Sequence, residues 1–548
     1  VVAGWEPALV FENPIRVWAP RTLSGALDAL AQVDEALSAG YAVAGALSYD
    51  FGALLHGTAK SEPAHPLVLL GVFSAPKSAN LARNGARFRM TAPLCRVQRE
   101  AYQRKVEYLR SRIRDGEVYQ ANYTVPFDVG FQGNPFDLYR FLARRANARY
   151  AAYVEHDDLA LVSISPELFL RFEGDRLTTK PMKGTAPPAR TGLLSNEKNR
   201  AEHLMIVDLL RNDLHRVCGD VRVSRLFEIE RYPTFATMTS TITGTTHKSF
   251  AQIVRATFPC GSVTGAPKRA AMRHIGAVEP QPRGFYTGSI GYLLPRRRGW
   301  WNVCIRTLQF EGGVARFDAG GGIVSDSESA SEWEEIFLKS RFLAPAHDGF
   351  ALVETFGAQT AASDVELHVR RLQTSARAFG WNLDARALEQ LRALDRRARI
   401  VRFRAAQTRS EILIESMPET NAPVRVCLAR QRVRSGDPFL MHKTTWRAGH
   451  DAALREAGQR ECFEALLLNE RGEVTEGSRT TLFARFGELL CTPPLSSGVL
   501  PGILRRRLVS QGGAMERVLF PGDLSRADAL YVGNSARGLL QAELVQDV

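Results

Sequence analysis

Apolar positions along this chain follow two rhythms. In REAYQRKVEYLRSRIRDG and KNRAEHLMIVDLLRNDLHRV they recur at three- and four-residue intervals, which predicts helices. In YAVAGALSYDFG, AAYVEHDDLALVSI, GFYTGSIGYLL and WWNVCIRTLQF they are dense, short and β-prone, which predicts strands. The two kinds of segment mix without a regular βαβ alternation, so the expected class is α+β. A strongly helical run, SASEWEEIFLKSRFLA, stops in LAPAHDG, where Pro345 and Gly349 both break helices. Beyond it FALVETF reads as a strand and ELHVRRLQTSARAFG as an amphipathic helix closed by Gly380. The boundary falls near residue 346 and gives domains 1–345 and 346–548. A length of 548 residues requires more than one core in any case.

Composition narrows the class. Hydrophobic residues make up 45% and charged residues 24%, as in water-soluble globular proteins. No window approaches the roughly 18 apolar residues of a membrane span, and the first residues do not read as a secretory signal. Seven scattered cysteines without a C-x-x-C pair argue for a reducing, cytoplasmic setting with neither disulfides nor zinc. The formal charge of +13 raises nucleic-acid binding as an alternative class. Yet the arginines are spread out, with short runs only at Arg296–Arg298 and Arg505–Arg507, so a solvated basic surface is preferred. No G-x-G-x-x-G or P-loop marks a nucleotide site.

Four groups in the first domain look chemical. Lys183 lies in TKPMKGT between Pro181 and Gly184, a tight non-helical segment; it can serve as a fixed cation or, desolvated, as a nucleophile. With it goes Glu167 in SPELF. Glu332 and Glu335 share a helix face, and Glu202 lies on another predicted helix; carboxylates from two helices with waters suit Mg²⁺. The glycine-rich turns FPCGSVTGAPK and DAGGGIVSDS offer backbone N–H groups and hydroxyls to an anion, the first at a helix N-terminus. Arg306 and Thr307 in NVCIRTL sit on a predicted strand and suit a carboxylate.

In order along the chain, FENP, GEVYQANYT, SPELF, PMKGT, AEHLMIVDLLRNDLHRVC, FPCGSVTGAPK, GFYTGSIGY, IRTL and GGGIVSDS with EWEE make residues 9–343 resemble the chorismate-utilising enzymes. The resemblance implies an α+β domain of two packed sheets that binds chorismate with Mg²⁺. Gln120 stands where water-using members carry a lysine base, and glutamine has no useful basicity, which leaves ammonia as the nucleophile. Among ammonia users, members that form anthranilate carry Ala where this chain has Lys183, and those that form aminodeoxychorismate carry Lys. The implied mechanism is covalent. Lys183 attacks carbon 2 as the carbon-4 hydroxyl leaves, Glu167 is the acid for that hydroxyl, and ammonia then adds at carbon 4. Glu202, Glu332 and Glu335 are the implied metal ligands. Gln120, Arg306, Thr307, Gly261, Thr264, Gly265, Lys268, Gly321 and Gly322 are the implied substrate contacts. One departure is Thr237, which replaces a family His. No cysteine lies on the sharp turn of a glutaminase nucleophile, so ammonia is expected from a separate glutamine amidotransferase subunit.

In the second domain, Lys443 in FLMHKTTWR, Glu476 in VTEGSRTTLF, Arg371, and the helix start at LPGILRRRL make a set with the logic of a pyridoxal phosphate site: lysine, pyridine partner and phosphate cup. Residues 349–548 resemble the class IV, fold-type IV pyridoxal phosphate enzymes, an α/β domain pair, and in particular the aminodeoxychorismate lyases among them. Lys443 matches the Schiff-base lysine and Glu476 the pyridine partner. Arg371, Ile503, Leu504 and Ser535 match phosphate contacts, with Asn534 beside them. Leu504 departs from the usual Thr, so phosphate would rely on its backbone N–H. The Arg-rich DRRARIVRFRAAQTRSEILIESMP reads as a divergent strand and loop. A homodimer through this domain is left open. Together the halves imply 4-aminobenzoate synthesis for folate; the alternative is an anthranilate-forming enzyme fused to a class IV aminotransferase. No nucleic-acid or membrane partner is expected.

Overall fold

The computed structural model describes the chain except residues 5–7, 60–62, 82–87, 187–196, 233–235, 312–313, 344–349, 358–359, 361, 382, 384, 394–398, 406–409, 417–419, 421 and 546–548. The chain divides into two compact units, Val1–Ala344 and Pro345–Val548. Most of the predicted LAPAHDG seam lies outside the described residues.

Two ten-stranded sheets and a two-stranded one lie in the first unit, and their described pairings are antiparallel. One sheet holds Gln120–Val129, Val314–Ile323, Thr307–Glu311 and Leu159–Ser165 side by side. The other holds Met182–Ala186, Ala236–Thr245, Arg176–Lys180 and Leu168–Glu173. Ala46, Leu69 and Ile290 of the second sheet share a buried cluster with Ala152, Val154 and Leu161 of the first, so the sheets pack face to face. Helices cover other faces. Tyr102, Val106 and Leu109 of the helix Arg99–Arg114 bury against Val125 and Phe127, and Ile206 and Leu210 of the helix Glu197–His215 join the cluster of Val43 and Phe172. Each such side chain contributes roughly 1.5–3 kcal/mol. Cover on both sides explains why these strands read as near-continuous apolar runs rather than clean alternation.

Several predicted strands are more broken than their sequence suggests. YAVAGALSYDFG is the strand Ala42–Leu47 followed by the helix Tyr49–Leu55, whose N-cap Ser48 accepts from Phe51 N. AAYVEHDDLALVSI is a hairpin of Tyr150–His156 and Leu159–Ser165, turned at Asp157 with φ 53°. WWNVCIRTLQF crosses between the sheets: Arg298–Asn302 pairs in one and Thr307–Glu311 in the other. Arg306, predicted on a strand, instead lies on this crossing with φ 51°. DAGGGIVSDS, predicted as a turn, is largely strand, because Val314–Ile323 pairs with Gln120–Val129 through Gly320, Gly321 and Gly322. The Lys183 segment is a strand at the end of its sheet, with the register shifting between Lys183 and Ala186.

In the second unit, Leu352–Phe356, Arg399–Ala405 and Ser410–Ser416 form a three-stranded sheet, so the described parts of the Arg-rich segment are two antiparallel strands. The helix Ala362–Ala378 packs Val365, Val369 and Leu372 against Leu352 and Phe356. An eight-stranded mixed sheet follows, in which Val424–Val433 runs parallel to both Glu464–Asn469 and Gly538–Leu544.

Candidate active sites

The first site grows from two chain crossings. The strand Leu159–Ser165 of one sheet leads through Pro166 and Glu167 into Leu168–Glu173 of the other, and residues 303–306 make the return crossing. Backbone bonds lock them together: Val303 N donates to Glu167 O at 3.1 Å and Ile164 N to Arg306 O at 3.0 Å. Glu167 and Arg306 therefore come from adjoining joints of the frame. Glu167 is 3% exposed, and burial raises its carboxyl to about 7, against the lowering pull of Ser262, Met182 N–H and Lys183. Burial likewise lowers Arg306 to about 10, opposed by Tyr232. The Thr307 hydroxyl donates within the crossing, to Ser163 Oγ at 2.9 Å or Ile305 O at 3.1 Å.

Lys183 reaches this area from the strand Met182–Ala186, and its Nζ lies 3.4 Å from Glu202 Oε2. A register shift beside a functional side chain is a common way to re-aim it. Thr237 Oγ1 donates to Gly184 O at 2.7 Å, or to Lys183 O at 3.3 Å, which ties down the backbone under the lysine. Gln120 is 1% exposed, and neither side-chain polar atom has a hydrogen-bond partner among the described residues. Such an orphan is costly and marks a place for a polar ligand. A Cβ added at Gly322 would lie 2.8 Å from Gln120 Nε2 and 3.1 Å from Lys183 Nζ; one added at Gly321 would lie 3.0 Å from Glu332 Oε2. Glycine keeps those spaces clear, and Lys183 is close enough to act electrostatically on both Glu332 and Glu335.

The structure changes the picture for several expected residues. Each of the three expected metal ligands has another partner: Glu202 pairs with Lys183, Glu335 with Lys339 at 2.7 Å, and Glu332 accepts from Ser327 Oγ at 2.7 Å. Among the described residues no three acidic, His or Cys side chains are placed to hold one ion. Glu332 is raised by burial and further by Glu335, whereas Lys339 lowers Glu335. Lys268, expected as a substrate contact, donates to Asp213 Oδ2 at 2.8 Å and Thr257 O at 2.6 Å. It begins a helix, where a cation is disfavoured, and both partners in the ion pair are nearly buried, so it ties the start of the helix Lys268–Val278 to the helix Glu197–His215 and to the end of the helix Phe250–Thr257. Thr264 Oγ1 turns back to the carbonyls of Cys260 and Gly261 at 3.1 and 3.3 Å. Gly265, with φ 146°, lets its strand approach Gln120: a Cβ there would lie 2.1 Å from Gln120 O.

Two neighbours were missed by sequence reasoning. Ser262 donates to Glu167 Oε1 at 2.7 Å, a contact between residues 95 apart in sequence that no local string displays. His203, fully buried next to Glu202, bonds Ser240 Oγ at 2.7 Å through Nε2; burial and Lys183 lower it to about 4. The only signal for it was its place one residue after a candidate ligand.

In the second unit the turn at Leu500–Gly502 gathers the expected residues. Leu500 N donates to Glu476 Oε2 at 3.1 Å, and Arg371 Nη1 donates to Pro501 O at 3.1 Å. Gly502 begins the helix Ile503–Ser510 without a side-chain cap. The Leu504 side chain joins Phe483 and Ala514 in the core, so only its backbone faces the helix start. Arg371 also forks onto Glu354 at 2.8 and 2.6 Å, and His368 Nδ1 meets the same carboxylate at 2.6 Å. Burial would raise Glu354, but Arg371 and His368 hold it well below the carboxylate range. Glu476 Oε1 lies 3.2 Å from His450 Nε2. Lys443 is anchored through its carbonyl, which accepts from Val353 N at 2.8 Å, and its charge acts on His368. Asn534 Oδ1 accepts from Ala536 N at 3.0 Å and Arg537 N at 3.1 Å, and Ser535 O accepts from Thr360 Oγ1 at 3.3 Å.

Residues 3–345 match the family of chorismate binding enzymes, and residues 352–545 match amino-transferase class IV. Aminodeoxychorismate synthase component 1 of Klebsiella aerogenes is 40% identical over 256 residues, covering 44% of this chain and 57% of that protein. Anthranilate synthase component 1 of Aquifex aeolicus is 37% identical over 261 residues, 45% of this chain and 53% of that one. The chain spans little more than half the length of these relatives. The crystal structure of anthranilate synthase component I from Streptococcus pneumoniae aligns with a TM-score of 0.54 at 25% identity, over 61% of this chain and 91% of that one. No helix among the described residues is long and apolar enough to cross a membrane.

Proposed function

We propose, from the premise that this chain belongs to the family of chorismate binding enzymes and carries a class IV amino-transferase region behind that domain, that it makes 4-aminobenzoate in two steps. The first unit would aminate chorismate at carbon 4, and the second would remove pyruvate from the product. The observation that carries the first step is Lys183, beside an unpartnered Gln120 and near an acid raised to about 7.

In this reading chorismate's enolpyruvyl carboxylate meets Arg306, whose buried cation an anion would stabilise. Gln120 fills its empty hydrogen bonds on the substrate. Lys183, as the neutral amine, bonds to carbon 2; the ring double bonds shift, the carbon-4–oxygen bond breaks, and Glu167 delivers the proton that makes the leaving group water. Ammonia then bonds at carbon 4, its surplus proton restores the acid form of Glu167, and the carbon 2–Lys183 bond breaks by the reverse shift. Mg²⁺ suits the donor chemistry at Glu332 and Glu335, hard oxygens whose mutual repulsion a cation would relieve. These two, with waters, would hold it, and Glu202 would join by exchanging its pair with Lys183. When bound, the ion supplies positive charge to the ring carboxylate. The glutamine-derived ammonia would come from a separate amidotransferase subunit, as the name "component 1" of the relatives suggests.

Pyridoxal phosphate fits the second unit: the uncapped helix start at Ile503 and the nearby Arg371 suit its phosphate, and Glu476 its ring nitrogen. When bound, the cofactor supplies an electron sink. Lys443 would take up and return the proton as pyruvate leaves and the ring becomes aromatic. The test is mass spectrometry of products from chorismate, ammonium and Mg²⁺, with and without pyridoxal phosphate. The expected products are aminodeoxychorismate without the cofactor and 4-aminobenzoate plus pyruvate with it. Anthranilate would overturn the first step, and accumulation of aminodeoxychorismate with cofactor present would overturn the second.

A further inference from the structure

The Gly261–Val263 turn does more than present backbone, because its one hydroxyl contacts the buried acid. Ser262 Oγ lies 2.7 Å from Glu167 Oε1, and Cys260 Sγ lies 3.2 Å from the same Oγ. Glu167 is 3% exposed and Cys260 2%. We propose that Ser262, backed by Cys260, is a positioning residue that sets the proton affinity of Glu167 and decides which of its oxygens carries the proton. This deepens the general-acid reading of Glu167 and rests on it.

The argument is one of donors and acceptors. A hydroxyl can donate and accept at once. While Ser262 donates to Oε1, that oxygen is the poorer site for a proton, so the acidic proton sits on Oε2. Cys260 cannot become a competing base, since burial pushes its thiol up to about 12. It therefore remains S–H, able to donate to Ser262 Oγ and polarise its O–H toward Glu167. When the proposed step passes the Glu167 proton to the departing hydroxyl, one proton leaves the carboxyl and one water leaves carbon 4. The new carboxylate keeps the Ser262 bond, which becomes charge-assisted and stronger. No proton need cross from Ser262.

The charged and titratable groups around Glu167 are few. Lys183 faces it from the strand Met182–Ala186, and Cys260 from the turn, with Lys268 acting on Cys260 from behind. Burial is the largest influence and raises the acid; Ser262, Met182 N–H and Lys183 follow and lower it. Removing Ser262 therefore takes away a stabiliser of the ionised form, and the affinity for the proton rises. An acid-dependent step is present below that value and is lost as pH rises through it, so its alkaline limb moves to higher pH.

The experiment follows the carboxylic-acid infrared band of the intact chain that disappears in Glu167→Gln, titrated against pH alongside kcat/KM for chorismate with ammonium. In Ser262→Ala both should move upward by about one to two pH units, the scale of one hydrogen bond to a charged group. Ser262→Thr should restore the wild-type position, and Cys260→Ala should give a smaller upward shift. An infrared titration unchanged in Ser262→Ala would overturn the proposal, and one unchanged in Cys260→Ala would remove the thiol from it. If Glu167→Gln kept full turnover, the general-acid reading would fail, while the infrared titration would still decide what Ser262 does.

Discussion

The two candidate sites treat their charged residues in opposite ways. In the first unit burial works against the polar groups: Gln120 has no partner among the described residues, and Glu167, though bonded by Ser262, is raised to about 7. In the second unit the expected cofactor residues are already held, Arg371 by Glu354 and Pro501, Glu476 by Leu500 and His450. The difference teaches what each fold supplies. In the proposed reading the first carries the chemistry on its own side chains and accepts destabilising burial to tune them. The second is a rigid holder whose reactive atoms would arrive with the cofactor.

Four substitutions can break or sharpen that contrast. Lys183→Ala should lower formation of the carbon-4 amine by at least about 10³-fold, the scale of losing a group that acts as part of a catalytic unit; product chromatography checks this, and a drop of only a few-fold would make Lys183 an anchor. Glu167→Gln should cost about 10²- to 10⁴-fold in kcat and abolish the alkaline limb near pH 7. Gly322→Ala should cost on the order of 10²-fold by displacing the ends of Gln120 and Lys183, while stability, read by urea unfolding, changes by about 1 kcal/mol or less because both ends are flexible. Glu354→Gln should act the other way, destabilising the second unit by about 3–5 kcal/mol in urea and weakening pyridoxal phosphate binding through a loosened Arg371. Glu354 is depressed in the fold, so its stabilisation is present above the ordinary carboxylate range and is lost as pH falls below it. Acid should therefore loosen the Glu354 network while protonating, and so preserving, the acid form of Glu167.

Much of this was legible in the sequence because it is local. Helices announced themselves by period, and the Lys183, Glu167 and Glu476 motifs are short strings. What was not legible depends on pairing. Arg306 lies in an apolar run that reads as one strand, yet the run changes sheets, and only the tertiary register puts it on the crossing beside Glu167. The glycines of DAGGGIVSDS looked like a turn, whereas Gln120, Lys183 and Glu332 need their missing side chains within a strand. Lys268 reads as a ligand contact in its string, and nothing local shows its pairing with the distant Asp213. The Ser262 contact was hidden for the same reason, its partner lying 95 residues away.

The central claim is that Lys183 bonds to the substrate ring rather than merely holding it. Rapid acid quench of the enzyme turning over chorismate with limiting ammonium, followed by peptide mass analysis, tests it most directly. The account predicts a transient mass increase on the peptide containing Lys183, absent in Lys183→Ala and relieved by added ammonium. An unmodified peptide throughout turnover, with Lys183→Arg retaining activity, would contradict it.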